Sequence, residues 1–110
     1  MTQYTLNTLP NQTIKISEEE HLYEIGLRTF NDMLYASVSV DGEQVCYGVR
    51  CIPYGFLIPY RCGEKGGNFL FSAREDSYPS YKDYETTCFL YYMTKQEIAE
   101  MREMQRLKRL

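Results

Sequence analysis

Residues 34–52, LYASVSVDGEQVCYGVRCI, decide the fold class. Small apolar residues alternate with Tyr and Ser up to Val40, the period of two that is typical of a half-buried strand. Asp41 and Gly42 both tolerate positive φ, so the pair predicts a type I′ hairpin turn. The returning segment, 43–52, predicts a partner strand. Its residues expected on one face are Val45, Tyr47, Val49 and Cys51.

The rest of the chain up to residue 93 continues this β pattern. Gly48 lies within the returning strand, which indicates a bulge or a close approach of another backbone. Further strands are predicted at 4–9, 13–16, 21–29, 69–73 and 87–93. Two nearby prolines make 53–60 an edge-like crossing segment with buried apolar residues. The Glu-rich stretch 18–20, Asn31-Asp32 and 63–68 are predicted turns, and 74–85 is a polar loop that carries tyrosines.

The C-terminal segment has a different pattern. Thr94-Lys95-Gln96-Glu97 matches the capping box that begins a helix. Apolar residues then recur every third position: Ile98, Met101, Met104, Leu107 and Leu110. In a helix such a stripe drifts by about 60° per step, so it cannot face one flat core. Either Ile98 and Met101 dock on the sheet while the rest projects, or the helix wraps a partner.

These patterns predict an all-β fold, a small antiparallel sandwich or partly closed barrel of about six or seven strands with one C-terminal α-helix. Residues 1–93 form the antiparallel β domain and 94–110 the helix. The 110 residues with 44% apolar content fit one domain. No leader and no membrane segment are recognised, so we expect folding in a reducing cytoplasm.

No catalytic or metal-binding pattern is found. The four cysteines lack the close Cys-x-x-Cys pairs of zinc sites and are interpreted as free apolar fillers. Cys46 and Cys51, five apart, would point to opposite faces of a regular strand. His21 lacks a nucleophile motif, and the three consecutive glutamates are typical of a solvated turn. We therefore expect no enzyme activity, no cofactor and no metal.

Candidate partner contacts come from two segments. Tyr78, Tyr81 and Tyr84 either cover the sheet or are exposed anchors, because tyrosine is enriched where interfaces carry their energy. On the helix, Met101, Met104 and Leu107 are the corresponding candidates. The net charge of −3 argues against nucleic acid, although strand aromatics leave a single-stranded nucleic-acid-binding module on a small β-barrel as the alternative. A small hydrolase using His21 or a cysteine is the third hypothesis.

An ordered set of landmarks resembles the small baseplate plug proteins of contractile-tailed bacteriophages. The set is Pro10-Asn11-Gln12, Asp41-Gly42, Gly48-x-Arg50-x-x-Pro53, Leu57-Ile58-Pro59-Tyr60, Gly66-Gly67-Asn68-Phe69-Leu70 and Phe89-Leu90-Tyr91. The resemblance departs at three points: the chain has no Trp, Tyr84-Glu85-Thr86 replaces a Leu-Gly pair, and the helix is longer than usual.

The resemblance implies a virion structural protein that acts through protein–protein contacts in the tail baseplate, near the central hub and tail tube. Its expected partners are other tail and baseplate proteins, including neighbouring copies, with no membrane and no nucleic acid. The protein would reside in the host cytoplasm before assembly and in the virion afterwards.

Overall fold

The computed structural model describes residues 1–59, 62, 66–74 and 77–108, and this part of the chain contains seven strands and one α-helix. The strands are β1 (Thr2–Tyr4), β2 (Gln12–Glu18), β3 (His21–Phe30), β4 (Met33–Val40), β5 (Glu43–Arg50), β6 (Asn68–Ser72) and β7 (Phe89–Met93), and the helix is α1 (Lys95–Lys108).

The strands form two antiparallel sheets, one in the order β2-β3-β4-β5 and the other in the order β1-β7-β6. Buried residues from both sheets form one continuous cluster, so the main core lies between them. The arrangement is a sandwich rather than a closed barrel, which confirms the predicted all-β class. Helix α1 adds a third layer on the outer face of the three-stranded sheet, through contacts with Leu70 and Met93. No helix in the described ranges is long and apolar enough to cross a membrane.

Two-residue turns join the four strands of the larger sheet. Both central residues have positive φ at Glu19-Glu20, at Asn31-Asp32 and at Asp41-Gly42. Positive φ at both positions is the mark of the type I′ turn, whose twist matches that of the flanking strands. The turns predicted at Asp41-Gly42 and Asn31-Asp32 are confirmed.

A bulge at Gly48 changes which side chains of β5 face the core. Val38 pairs with Cys46 and Ala36 pairs with Val49, so β5 has one residue more than β4 over this stretch. Gly48 takes a φ of 64° there, a value that glycine adopts without steric cost. The predicted bulge is confirmed.

Two other predictions for this strand are wrong because a regular alternation was assumed. Tyr47, expected on the apolar face, is 81% exposed. Cys46 and Cys51, expected on opposite faces, are both buried in the same core cluster. A second register shift lies between Val38 and Ser39 of β4. Each extra residue of β5 reverses the inside–outside alternation, which a regular period of two cannot anticipate.

Aromatic rings dominate the core between the sheets. Tyr23 from β3 contacts Phe69 and Tyr92 from the opposite sheet, with ring centroids 5.1 and 5.7 Å away. Phe69 and Tyr92 are themselves 5.0 Å apart. Edge and tilted contacts at these distances stabilise a core beyond the area that they bury. The three rings therefore join the two sheets at one end of the sandwich.

The N-terminal segment and the crossing segment differ in how far they follow the predictions. The strand predicted at 4–9 is wrong in its bounds, since β1 ends at Tyr4 and the Leu6 amide donates to Glu85 Oε1 at 2.8 Å instead of to a strand. The crossing segment contacts β6 through bridges from Pro53 and Phe56. Leu57 and Ile58 are buried as predicted. Tyr60, residues 63–65 and residues 75–76 lie outside the described ranges.

The helix begins as predicted. The Glu97 amide donates to Thr94 Oγ1 at 3.1 Å, and the Thr94 amide donates to Glu97 Oε1 at 2.9 Å, which completes the capping box.

The turn before β3 contacts the same end of the helix. Glu19 Oε2 accepts from the Lys95 amide at 3.1 Å and from the Tyr92 hydroxyl at 2.5 Å. Glu18 accepts from the Tyr4 hydroxyl. The solvated turn predicted at 18–20 is present, with Glu19 and Glu20 exposed. The contacts of Glu18 and Glu19 were not predicted, and a carboxylate at the helix N-terminus is stabilising.

Candidate partner-binding surfaces

The three loop tyrosines have different environments. Tyr78 is 58% exposed, and its ring stacks under the Arg50 guanidinium at 4.6 Å. Tyr81 is partly buried against the core. Tyr84 is 2% exposed and lies parallel to Phe71, with centroids 5.9 Å apart and ring planes 4° from parallel. Burial raises the pKa of the Tyr84 hydroxyl above its usual range. Tyr84 thus covers the sheet, and of the three tyrosines only Tyr78 leaves most of its side chain exposed.

The first half of the apolar stripe on the helix packs on the sheet and the second half projects, as the first of the two alternatives predicts. Ile98 is buried and Met101 is partly buried against the three-stranded sheet. Met104 and Leu107 are 60% and 56% exposed, because each three-residue step rotates the stripe away from the sheet. Leu110 lies outside the described residues. The second half of the stripe is therefore exposed in this chain.

A groove of about 420 Å³ runs beside the helix. Its lining residues are Met1, Met93, Glu97, Glu100, Met101, Met104, Gln105 and Lys108. The Met1 ammonium pairs with Glu97 at 2.5 Å and lowers the pKa of that carboxyl. Along α1, the lining residues Glu97 and Glu100 come first, Met101 and Met104 follow, and Lys108 comes last. Methionine side chains adapt to irregular partners, which suits such a surface to protein contact.

A second depression lies on the outer face of the four-stranded sheet, and sequence reasoning missed it. It has a volume of about 310 Å³ and is lined by Gly26, Arg28, Tyr35, Ser37, Tyr47 and Gly48. The small residues form its floor, where Ser37 Oγ accepts from the Gly48 amide at 3.0 Å. The signal available in the sequence was a run of small residues at outward positions of neighbouring strands.

His21 and the buried cysteines, which the sequence analysis considered for catalysis, make contacts that belong to the fold. His21 Nδ1 lies 2.6 Å from Asp41 Oδ2 across the hairpin ends, while Asp41 Oδ1 accepts from the Leu22 amide at 2.9 Å. Cys46, Cys51 and Cys88 are buried free thiols. Burial raises the pKa of Cys51 to about 12 and that of Cys88 to about 11, so these thiols stay protonated. Among the described residues, no group of three or more His, Cys, Asp or Glu could hold a metal ion.

Comparison with known proteins places the chain in a family. A family model described as "Cyanophage baseplate Pam3 plug gp18" matches residues 1–95. The match covers both sheets and ends where α1 begins. A search of curated proteins finds no match to the chain. With the match spanning most of its length, the chain belongs to the phage baseplate plug family.

Proposed function

We propose that this chain is a structural plug or adaptor of a phage tail baseplate, placed near the central hub and the tail tube. The observation that carries the proposal is the family match over residues 1–95, which contain every strand of the sandwich. The protein folds in the host cytoplasm and then joins the tail through protein–protein contacts. Its role in this proposal is mechanical, and it requires no reaction centre.

The fold supports such a role because side-chain contacts fix the two sheets and the helix relative to one another. The ring cluster of Tyr23, Phe69 and Tyr92 joins the sheets. Glu19 then ties the helix N-terminus to the turn between β2 and β3. A scaffold fixed in this way presents its loops and helix in one geometry, which lowers the ordering cost of binding.

The helix supplies the contact surface in this proposal. Met104 and Leu107 project from α1, and the methionine groove lies beside them. Partly exposed apolar side chains next to charged groups are the usual composition of an interface core with its rim. The helix lies almost wholly beyond the matched residues, so it would adapt the common sandwich to this chain's own neighbours.

Removal of the helix tests this assignment. Deletion of 98–110 is expected to leave a folded sandwich, because the main core lies between the sheets, and to impair incorporation into tails. Deletion of 102–110 is the sharper variant, since it keeps Ile98 and Met101 over Leu70 and Met93. Tails purified from a phage that carries each variant are quantified by mass spectrometry against a tail-tube protein.

The unaltered chain should be present in a fixed stoichiometric ratio, and the 102–110 deletion should reduce that ratio about tenfold or more, as expected from loss of an apolar interface centre. Phe30→Ser is the matched control, because it removes an exposed apolar ring from β3 and leaves the helix intact. Absence of the unaltered chain from purified tails would reject the proposed function. Equal loss in the control would reject only the assignment to the helix.

A further inference from the structure

Two arginines on the outer face of the four-stranded sheet are held in place by groups that carry no negative charge. Arg28 Nη1 donates to the main-chain carbonyls of Gln12 and Leu27 at 3.0 and 2.9 Å. Arg50 is stacked on the Tyr78 ring. Within the described residues neither guanidinium forms an ion pair with a carboxylate. Both charges are therefore positioned before any ligand arrives.

The strand register sets the distance between these charges. Tyr35 on β4 pairs with Arg28 on β3 and with Arg50 on β5, so the three residues form one cross-strand row. Neighbouring strands are about 4.8 Å apart, which separates the two arginine positions by about 10 Å. In an extended peptide, side chains that point to the same face are two or four positions apart, which is about 7 or 13 Å. Arginine and glutamate side chains are long and flexible, so two carboxylates spaced in this way suit two arginines whose backbone positions are separated on this scale.

The depression beside this row adds an apolar contact. Gly26, Ser37 and Gly48 form its floor, and the largely exposed Tyr47 ring forms one wall. Tyrosine and arginine are the residues most enriched at the energetic centres of interfaces. The floor lies in the neighbouring row of the sheet, so a partner segment bound along the arginine row would have this depression at its side.

The charge distribution identifies the chemistry of the partner. The chain as a whole carries −3, whereas on this face Lys15 and Glu24 lie directly opposite each other and leave the two arginines in excess. A short acidic segment meets mainly the local positive charge, while a long polyanion such as nucleic acid also meets the negative remainder of the chain. We propose that this face binds an acidic, extended segment of a neighbouring protein, with its carboxylates on Arg28 and Arg50. That the neighbour is a baseplate protein rests on the proposed function; the site itself rests on the geometry.

Titration of the isotopically labelled full chain with capped hexaglutamate tests the site. We expect amide shifts concentrated around the depression, a Kd on the order of 1 mM, and weaker binding at high salt. The Arg28→Gln/Arg50→Gln variant should bind about fivefold more weakly, as expected for two exposed ion pairs. Lys82→Gln, which removes a charge from the exposed loop side chain next to Tyr81, should change binding less than about twofold.

Three results would overturn the proposal: shifts scattered over the surface, binding that the double variant leaves unchanged, or tighter binding of a hexathymidylate oligonucleotide than of hexaglutamate at equal salt. If the double variant is unfolded, Tyr47→Ala tests whether the peptide binds at the depression, because its exposed ring can be removed without opening the core; unchanged binding by that variant would also overturn the proposal. A photo-crosslinker at position 47 in assembled tails then tests the baseplate partner separately. Failure of that crosslink alone contradicts the partner's identity and leaves the hexaglutamate result standing.

Discussion

Gly67→Ala should lower the free energy of unfolding by about 3 kcal/mol, the upper end of the usual cost of overpacking. A Cβ at this position would lie 2.5 Å from Cζ of Tyr92 and closer still to the Met93 carbonyl oxygen. The backbone of β7 cannot move without disturbing its pairing with β6. The Gly67 amide also donates to the Tyr92 hydroxyl at 3.0 Å. Urea unfolding followed by circular dichroism measures the loss.

Gly26→Ala is the matched control for this substitution. Its added Cβ would meet nothing nearer than Arg28 Nη1 at 3.9 Å, so stability should change by no more than about 0.5 kcal/mol. If the two variants unfold at the same urea concentration, the close approach of β7 to Gly67 is wrong.

Asn68→Leu should have a comparable effect through lost hydrogen bonds. Asn68 Nδ2 donates to the Ile58 carbonyl at 2.8 Å, and Asn68 Oδ1 accepts from the amides of Ile58 at 3.0 Å and Phe69 at 2.8 Å. A leucine of similar size leaves the buried Ile58 groups unsatisfied. Each buried unsatisfied group costs about 1–3 kcal/mol, so we expect a loss of about 3 kcal/mol in the same urea measurement.

Asn7→Leu provides the same change of side chain at an exposed position. It should leave the unfolding midpoint close to that of the unaltered chain. A normal midpoint for Asn68→Leu would contradict the assignment of Asn68 as the residue that fixes the crossing segment to β6.

These two positions explain one of the sequence landmarks in physical terms. In Gly66-Gly67-Asn68-Phe69-Leu70, the second glycine permits the approach of β7, the asparagine fixes Ile58, and Phe69 enters the ring cluster. The Pro10-Asn11-Gln12 landmark has a similar basis. Asn11 Oδ1 accepts from the Thr29 amide at 3.1 Å, and Gln12 Nε2 donates to the Asn7 carbonyl at 2.7 Å. Landmarks of this kind specify a shape rather than a reaction.

The parts of the fold governed by local chemistry could be predicted from the sequence. Asp41-Gly42 forms its turn because both residues accept positive φ, and Thr94 with Glu97 forms its cap because each side chain reaches the other's amide. Each outcome depends on atoms within four residues. The alternation over β4 also held, because this strand has one face in the core.

The parts that depend on distant residues could not be predicted. The shift in alternation after Cys46 follows from the bulge, and a sequence pattern shows neither its type nor its position. Tyr84 was an open alternative between covering the sheet and anchoring a partner, and its stacking on Phe71 joins residues from different segments. The contacts of Glu19 were not predicted because its partners, Tyr92 and Lys95, are more than 70 residues away in the chain.

The two candidate surfaces also differ in whether the sequence could predict them. Met104 and Leu107 were predictable as projecting residues, since a three-residue period must rotate around a helix. The outer-face site was not, because its floor requires the register of three strands and the bulge at Gly48.

A density map of the intact phage tail tests the central claim most directly. The account predicts density for two packed antiparallel sheets and an adjoining helix at the baseplate, next to the hub and the end of the tube, in a fixed number of copies. A well-resolved baseplate in which no density accommodates this sandwich would contradict it.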